Sequence, residues 1–185
     1  MHLICGWDYK TIQKEIRVSE DGEIVQISEL HEYVHEGKIW TLNFRDTGIA
    51  NNGISYVRIK TGAKELHLFA DFGNGGDGLF KTYSGTTYSA NGTLADGVKM
   101  TVFNRNSLMA VPLLATAYYN PTINVLGTVR GIRQLYGGSG GNSNGSTSTN
   151  GLESVIPANS DFLMSIQNLA GTAQPCSIVV EMYEE

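Results

Sequence analysis

His31-Glu32-Tyr33-Val34-His35 is the one string in this chain whose residue types and spacing name a chemistry outright. In the HExxH arrangement of zinc peptidases, two histidines one helical turn apart hold a zinc ion, and the glutamate between them activates a metal-bound water. That chemistry needs a long helix under the motif, a third protein ligand and a covered cleft. Gly37 follows where the helix should continue, and Lys38 and Thr41 stand where a metzincin continuation requires glycine and histidine. The later histidine, His67, sits in an alternating run with Leu66, Leu68, Ala70 and Phe72. No segment after residue 45 has a helical period that would present a glutamate ligand. The motif is therefore read as coincidental. His31, Glu32 and His35 are expected to be neither metal ligands nor catalytic groups, and no cofactor is expected. The two histidines are read as polar residues at the start of a strand.

The elements around the motif argue the same way. Ile24, Ile27, Leu30 and Val34 are spaced as one helix face would space them, but Ile24-Val25-Gln26-Ile27-Ser28 is rich in β-branched residues and follows an Asp21-Gly22 turn signal. A small hairpin from Ile16-Arg17-Val18 to Ile24-Val25 is expected. Downstream, Trp40, Leu42 and Phe44 alternate with Thr41 and Asn43, the period of a half-buried strand. Further strands are expected over 54–60, 65–72, 79–84, 98–103, 111–118 and 123–135. Asn51-Asn52-Gly53, Thr61-Gly62, Asn91-Gly92, Asp96-Gly97 and Asn120-Pro121 punctuate them. Two late strands, around Phe162–Gln167 and Cys176–Tyr183, are expected to form a closing hairpin. Residues 137–151 are of Gly, Ser, Asn and Thr and are read as a flexible loop. The expected architecture is all-β: an antiparallel β-sandwich over 37–185, carrying an extended N-terminal arm and hairpin over 1–36.

Bulk properties narrow the function. The chain has 185 residues, of which 41% are hydrophobic and only 17% charged, which suits a turn-rich β domain. Its net charge of −5, with Lys60, Lys64, Arg130 and Arg133 scattered, lacks the basic cluster that a nucleic-acid groove needs. No apolar run approaches the roughly 20 residues of a membrane span. Cys5 and Cys176 are expected to stay free in a reducing compartment. Leu3-Ile4-Cys5-Gly6 lacks the basic and apolar segments of a lipoprotein signal. On the arm, Trp7, Tyr9, Ile16 and Val18 are the candidate partner contacts, because aromatic and apolar side chains on a thin projection suit docking.

Four segments, in order, resemble a group of tailed-bacteriophage virion proteins that decorate the capsid. They are the charged hairpin Ile16–Val25; His31–Lys38 leading into the aromatic strand; Tyr83-Ser84-Gly85 through Ser89–Thr93 to Phe103-Asn104-Arg105-Asn106-Ser107; and Ile156–Leu169 followed by the closing strand to Glu184. Two positions depart from the group's pattern. Ser84 stands where a glutamate is usual, and Leu108 where a second arginine is expected. The resemblance implies a jelly-roll-like fold and no catalysis. It also implies a decoration or cement subunit, bound as a homotrimer to the major capsid protein, made in the bacterial cytoplasm and located on the virion surface. Asn104-Arg105-Asn106 is read as a buried polar network fixing a strand end. The rival reading is a receptor- or carbohydrate-binding β-sandwich of a head or tail fibre, with Tyr88, Tyr118, Tyr119 and Tyr136 as sugar-stacking faces. A zinc metalloprotease ranks third.

Overall fold

The computed structural model describes residues 29–137, 145–148 and 153–185, and the short strands at 6–7, 13–14, 17–18 and 24–25. In the N-terminal region these are β1 (Gly6–Trp7), β2 (Gln13–Lys14), β3 (Arg17–Val18) and β4 (Ile24–Val25), followed by α1 (Glu29–His35). The body begins with β5 (Trp40–Ile49), β6 (Ile54–Lys60), β7 (Leu66–Asn74) and β8 (Gly78–Ser84). An insertion follows, comprising β9 (Thr87–Ala90), β10 (Thr93–Leu94), β11 (Met100–Asn104), β12 (Thr116–Tyr119) and β13 (Thr122–Val125). The chain closes with β14 (Thr128–Leu135), β15 (Gly145–Ser148), β16 (Ser154–Ile156), β17 (Asp161–Asn168) and β18 (Gln174–Glu184).

Two antiparallel sheets form the sandwich, in the orders β11-β5-β18-β7-β15 and β10-β12-β6-β17-β8-β14, with β16 pairing to β7 on the same edge as β15. Without the insertion, what remains is β5-β18-β7-β16 facing β6-β17-β8-β14. Successive strands from β5 to β8 alternate between the sheets, and β16, β17 and β18 alternate back. This is the strand order of an eight-stranded jelly roll, so the sandwich expected from the sequence is present. The period of two sets which side chains meet between the sheets. Leu42 and Phe44 of β5, Leu68, Ala70 and Phe72 of β7, and Ile178, Val180 and Met182 of β18 face Val57, Ile59, Phe80, Met164 and Ile166 of the other sheet in one buried core. Cys176 joins this core; burial pushes its thiol up to about 12, so it remains a protonated, inert group. Cys5 lies outside the described residues.

Several expectations are corrected. His31 and His35 do not begin a strand; both lie on α1. The helical spacing through Leu30 and Val34 prevails from Glu29 onward, and the helix stops where Gly37 takes a φ of 69°. The late strands do not form a hairpin: β17 pairs with β6 and β8, while β18 pairs with β5 and β7 across the sandwich. The strand expected over 111–118 is only Thr116–Tyr119, and that over 123–135 is split at Gly127, whose φ is 78°. Gly145–Ser148, inside the segment read as a loop, pairs with Asp71–Asn74 of β7. In the arm, β3 and β4 pair as the expected hairpin predicts, with Val18 opposite Ile24.

Candidate partner-binding surface

Residues 105–115 link β11 to β12 without regular structure, yet side chains and remote backbone groups bond much of their backbone. The Asn104 side-chain amide donates to the Gly37 carbonyl at 2.7 Å, and that of Asn106 donates to the His35 carbonyl at 2.9 Å, filling an acceptor left open at the end of α1. The Asn104 and Asn106 side-chain oxygens accept from the amides of Asn106 and Leu108. Val111 donates to Gly37 O at 3.0 Å, and the Trp40 indole donates to Val111 O at 3.1 Å. At the far end, the Glu184 carboxylate accepts from the amides of Leu114 and Ala115. Gly37 is required for this docking, since a Cβ there would collide with the Met109 carbonyl. The polar network expected at Asn104-Arg105-Asn106 therefore exists, and it ties α1 to the loop. It is not the buried network expected: Asn104 and Asn106 are half-buried, and Arg105 is exposed and pairs with Glu181 at 2.6 Å.

What this frame presents is apolar. Leu108 is 92% exposed and Met109 62%, and Phe103, Val111 and Leu114 are exposed as well. Beside them lies a cleft of about 300 Å³ lined by Trp40, Pro112, Leu114, Lys38, Lys64 and Glu184 among others. Large apolar side chains held outward on a fixed loop are the surface pattern of a protein-binding site. The sequence reading did not single out this loop. Its signal was the string Ser107-Leu108-Met109-Ala110-Val111, apolar residues between a polar cluster and Pro112.

The candidates named from sequence are dispersed. Trp7 lies in β1 opposite Gln13, and Val18 lies in β3; Tyr9 and Ile16 fall outside the described residues. The four tyrosines do not assemble into one platform. The Tyr88 ring stacks 3.8 Å from the Arg58 guanidinium, and the Tyr118 ring lies 5.8 Å from the same group. Tyr119 packs toward Phe44 and donates to Asp96, while Tyr136 stands 78% exposed after β14. Arg58 itself is buried on the outer face of β6, donating to Asp161 at 2.7 Å and Asn91 at 2.8 Å, and so fastens the insertion to the sheet.

The described histidines separate into two places. His31 and His35 face one another on α1, with Nε2 atoms 3.0 Å apart. His67 stacks on Tyr183 and contacts Glu153 at 2.7 Å. The Tyr183 hydroxyl also donates to Glu153, which holds that carboxyl below its usual range, while burial and then the Glu153 bond push the phenol up. Among the described residues, no three His, Cys, Asp or Glu side chains are gathered as a metal site, and no helix is long and apolar enough to cross a membrane.

No protein-family model and no curated protein matches this chain. Among solved structures, it aligns with the structure of infectious bursal disease virus strain Gt at 10% identity and a TM-score of 0.18, covering 80% of this chain and 40% of that one. It aligns with T=1 particles derived from the same virus at 13% identity and a TM-score of 0.17, again covering 80% and 40%. A VP2 subviral particle of that virus gives 11%, 0.17, and coverage of 100% and 46%. The chain thus spans less than half the length of these proteins, and likeness at this level carries no argument about ancestry or role.

Proposed function

We propose that this chain is a non-enzymatic structural protein of a bacteriophage virion, a decoration or cement subunit that binds the major capsid protein of the assembled head. The observation that carries the reading is the hydrogen-bonded loop 105–115 with its exposed Leu108 and Met109. Jelly rolls serve in capsid and lectin proteins alike, so the fold admits the reading without deciding it. In mechanism, the sandwich buries its own core, and the apolar loop loses water only against a partner. A ligand that binds only the assembled lattice stabilises that lattice by mass action. Trp7, Tyr9, Ile16 and Val18 of the arm supply a second contact. The subunit acts as a homotrimer, in which three copies related by a threefold axis meet through heterologous contacts.

The test is co-sedimentation of the full-length protein with assembled heads. Leu108→Asp with Met109→Asp is expected to abolish binding while leaving the unfolding midpoint unchanged. Undiminished binding would remove the loop from the account. Trp7→Ala with Tyr9→Ala tests the arm in the same assay.

One observation favours a second reading, receptor or glycan binding by a fibre protein. A groove of about 760 Å³ opens between β14 and β16, with Phe72, Phe80 and Phe162 in its floor and Arg130 and Asp161 among its lining residues. Copy number separates the readings, since decoration requires hundreds of copies per particle and a fibre only a few.

A further inference from the structure

The function proposed above leaves the opening motif without a role, and its geometry is specific. We propose that His31 and His35 form a two-histidine site for a divalent transition-metal ion, favouring the tetragonal ions Cu²⁺ and Ni²⁺ over Zn²⁺. The two residues lie four apart on α1, hence on one face, and both are exposed. Their Nε2 atoms are 3.0 Å apart while the ring centroids are 4.6 Å apart, so the rings lean together toward their nitrogen tips. Two nitrogens each ~2.05 Å from one ion and separated by that distance subtend an angle of about 94° at the ion. A tetrahedral ion asks for about 109°, which would spread the nitrogens by a further ~0.3 Å. Adjacent positions of a square-planar or tetragonal ion need about 90°, and that geometry belongs to Cu²⁺ and Ni²⁺.

The helix end beneath the pair is fixed. Glu36, Gly37 and Lys38 donate to the carbonyls of Glu32, Val34 and Tyr33, and Asn106 holds the His35 carbonyl. Ligand positions set by such a frame lose little freedom when the ion arrives. Without metal, the 3.0 Å contact requires one ring to donate an Nε2 proton and the other to accept it. Metal binding moves that proton to Nδ1 of the donor ring and frees both Nε2 lone pairs, with no change in protein charge. His67 is engaged by Glu153 and Tyr183 and does not join the pair. Among the described residues no third His, Cys, Asp or Glu side chain joins the pair, so the site is proposed as a two-histidine chelate. This is a binding site, and it does not depend on the virion reading.

The experiment is calorimetric titration of the full-length, tag-free protein with CuCl₂, NiCl₂ and ZnCl₂, together with the electron paramagnetic resonance spectrum of the Cu²⁺ complex. One ion per chain is expected, with a spectrum split by two imidazole nitrogens. His31→Ala or His35→Ala should each weaken binding about a hundredfold, the loss expected when a chelate becomes a single ligand, and reduce the splitting to one nitrogen. His2→Ala and His67→Ala should change neither. Wild-type affinity and spectrum in His31→Ala and His35→Ala, or loss of binding in His2→Ala or His67→Ala instead, would overturn the assignment.

Discussion

The two edges of this jelly roll solve the same problem in opposite ways. On one edge the insertion prolongs both sheets, with β11 beside β5 and β12 and β10 beside β6. Asp96 turns the chain into β11 by accepting from the amides of Val98, Lys99 and Met100, Arg58 clamps Asn91 and Asp161, and Glu184 caps the loop before β12. On the other edge, β14 is exposed along almost its whole length, carrying Val129 and Ile132 but also Arg130 and Arg133, and its register shifts between Val129 and Gly131. Charges and a bulge are the usual means by which a bare strand edge is kept from pairing with other chains. Both edges therefore expose apolar side chains, and among the described residues the insertion edge is the one that holds them in a hydrogen-bonded irregular loop. The difference lies in backbone satisfaction rather than in hydrophobicity, and it is why Leu108 and Met109 are the proposed partner surface.

The comparison breaks most severely at Arg58. Arg58→Met keeps the bulk but leaves Asp161 and Asn91 without their partner, and should cost about 3 kcal/mol in urea unfolding; a loss below about 1 kcal/mol would mean that the clamp is not what holds the insertion. Next comes Gly37→Ala, which places a side chain at positive φ and against the Met109 carbonyl. It should cost about 2 kcal/mol and speed hydrogen exchange at Val111 and Arg105, whose amides bond to Gly37 and Ile39. Unchanged exchange there would separate the loop from α1.

Acid should act on the same edge, more gently. The Val98 amide first, then the Tyr119 hydroxyl, holds the Asp96 carboxyl down at about 2. Its folded value is depressed, so its stabilising contribution is complete above the usual carboxylate range and is lost as pH falls from about 4 toward 2. Amide exchange or chemical shifts of Val98–Met100 should follow that fall, and Asp96→Asn should flatten the dependence. The smallest effect is expected from Ile132→Lys on the open edge: less than about 0.5 kcal/mol in stability and no change in head binding. Loss of head binding in that variant would transfer the partner surface to β14.

The sequence was informative wherever one face of a strand is buried. Val57 and Ile59 within 54–60 mark β6 to the residue, and the runs through Leu66–Phe72 and Cys176–Met182 place their inward side chains correctly. Alternation reports which side chains share a face but not which strand lies alongside, so β17 and β18 resembled a hairpin although they belong to different sheets. Val111-Pro112-Leu113-Leu114-Ala115 reads as a strand because its residues are apolar. Its amides go to Gly37 and Glu184 instead, contacts remote in sequence that no local pattern reveals. The site suffered for the same reason. Asn104-Arg105-Asn106 reads as a polar network in the sequence, but its partners Gly37 and His35 are remote and not legible there, and the aromatic Trp7 and Tyr9 carry a stronger local docking signal than Leu108. At α1 itself, the β-branched residues upstream outweighed a helical spacing that the structure realises.

The central claim is that this chain covers a phage head in many copies through the insertion edge. Quantitative mass spectrometry of purified particles, scaled to the major capsid protein, tests it directly. The account predicts hundreds of copies per particle, falling to near zero in particles assembled with Leu108→Asp and Met109→Asp. A handful of copies per particle, or full occupancy by that variant, would contradict it.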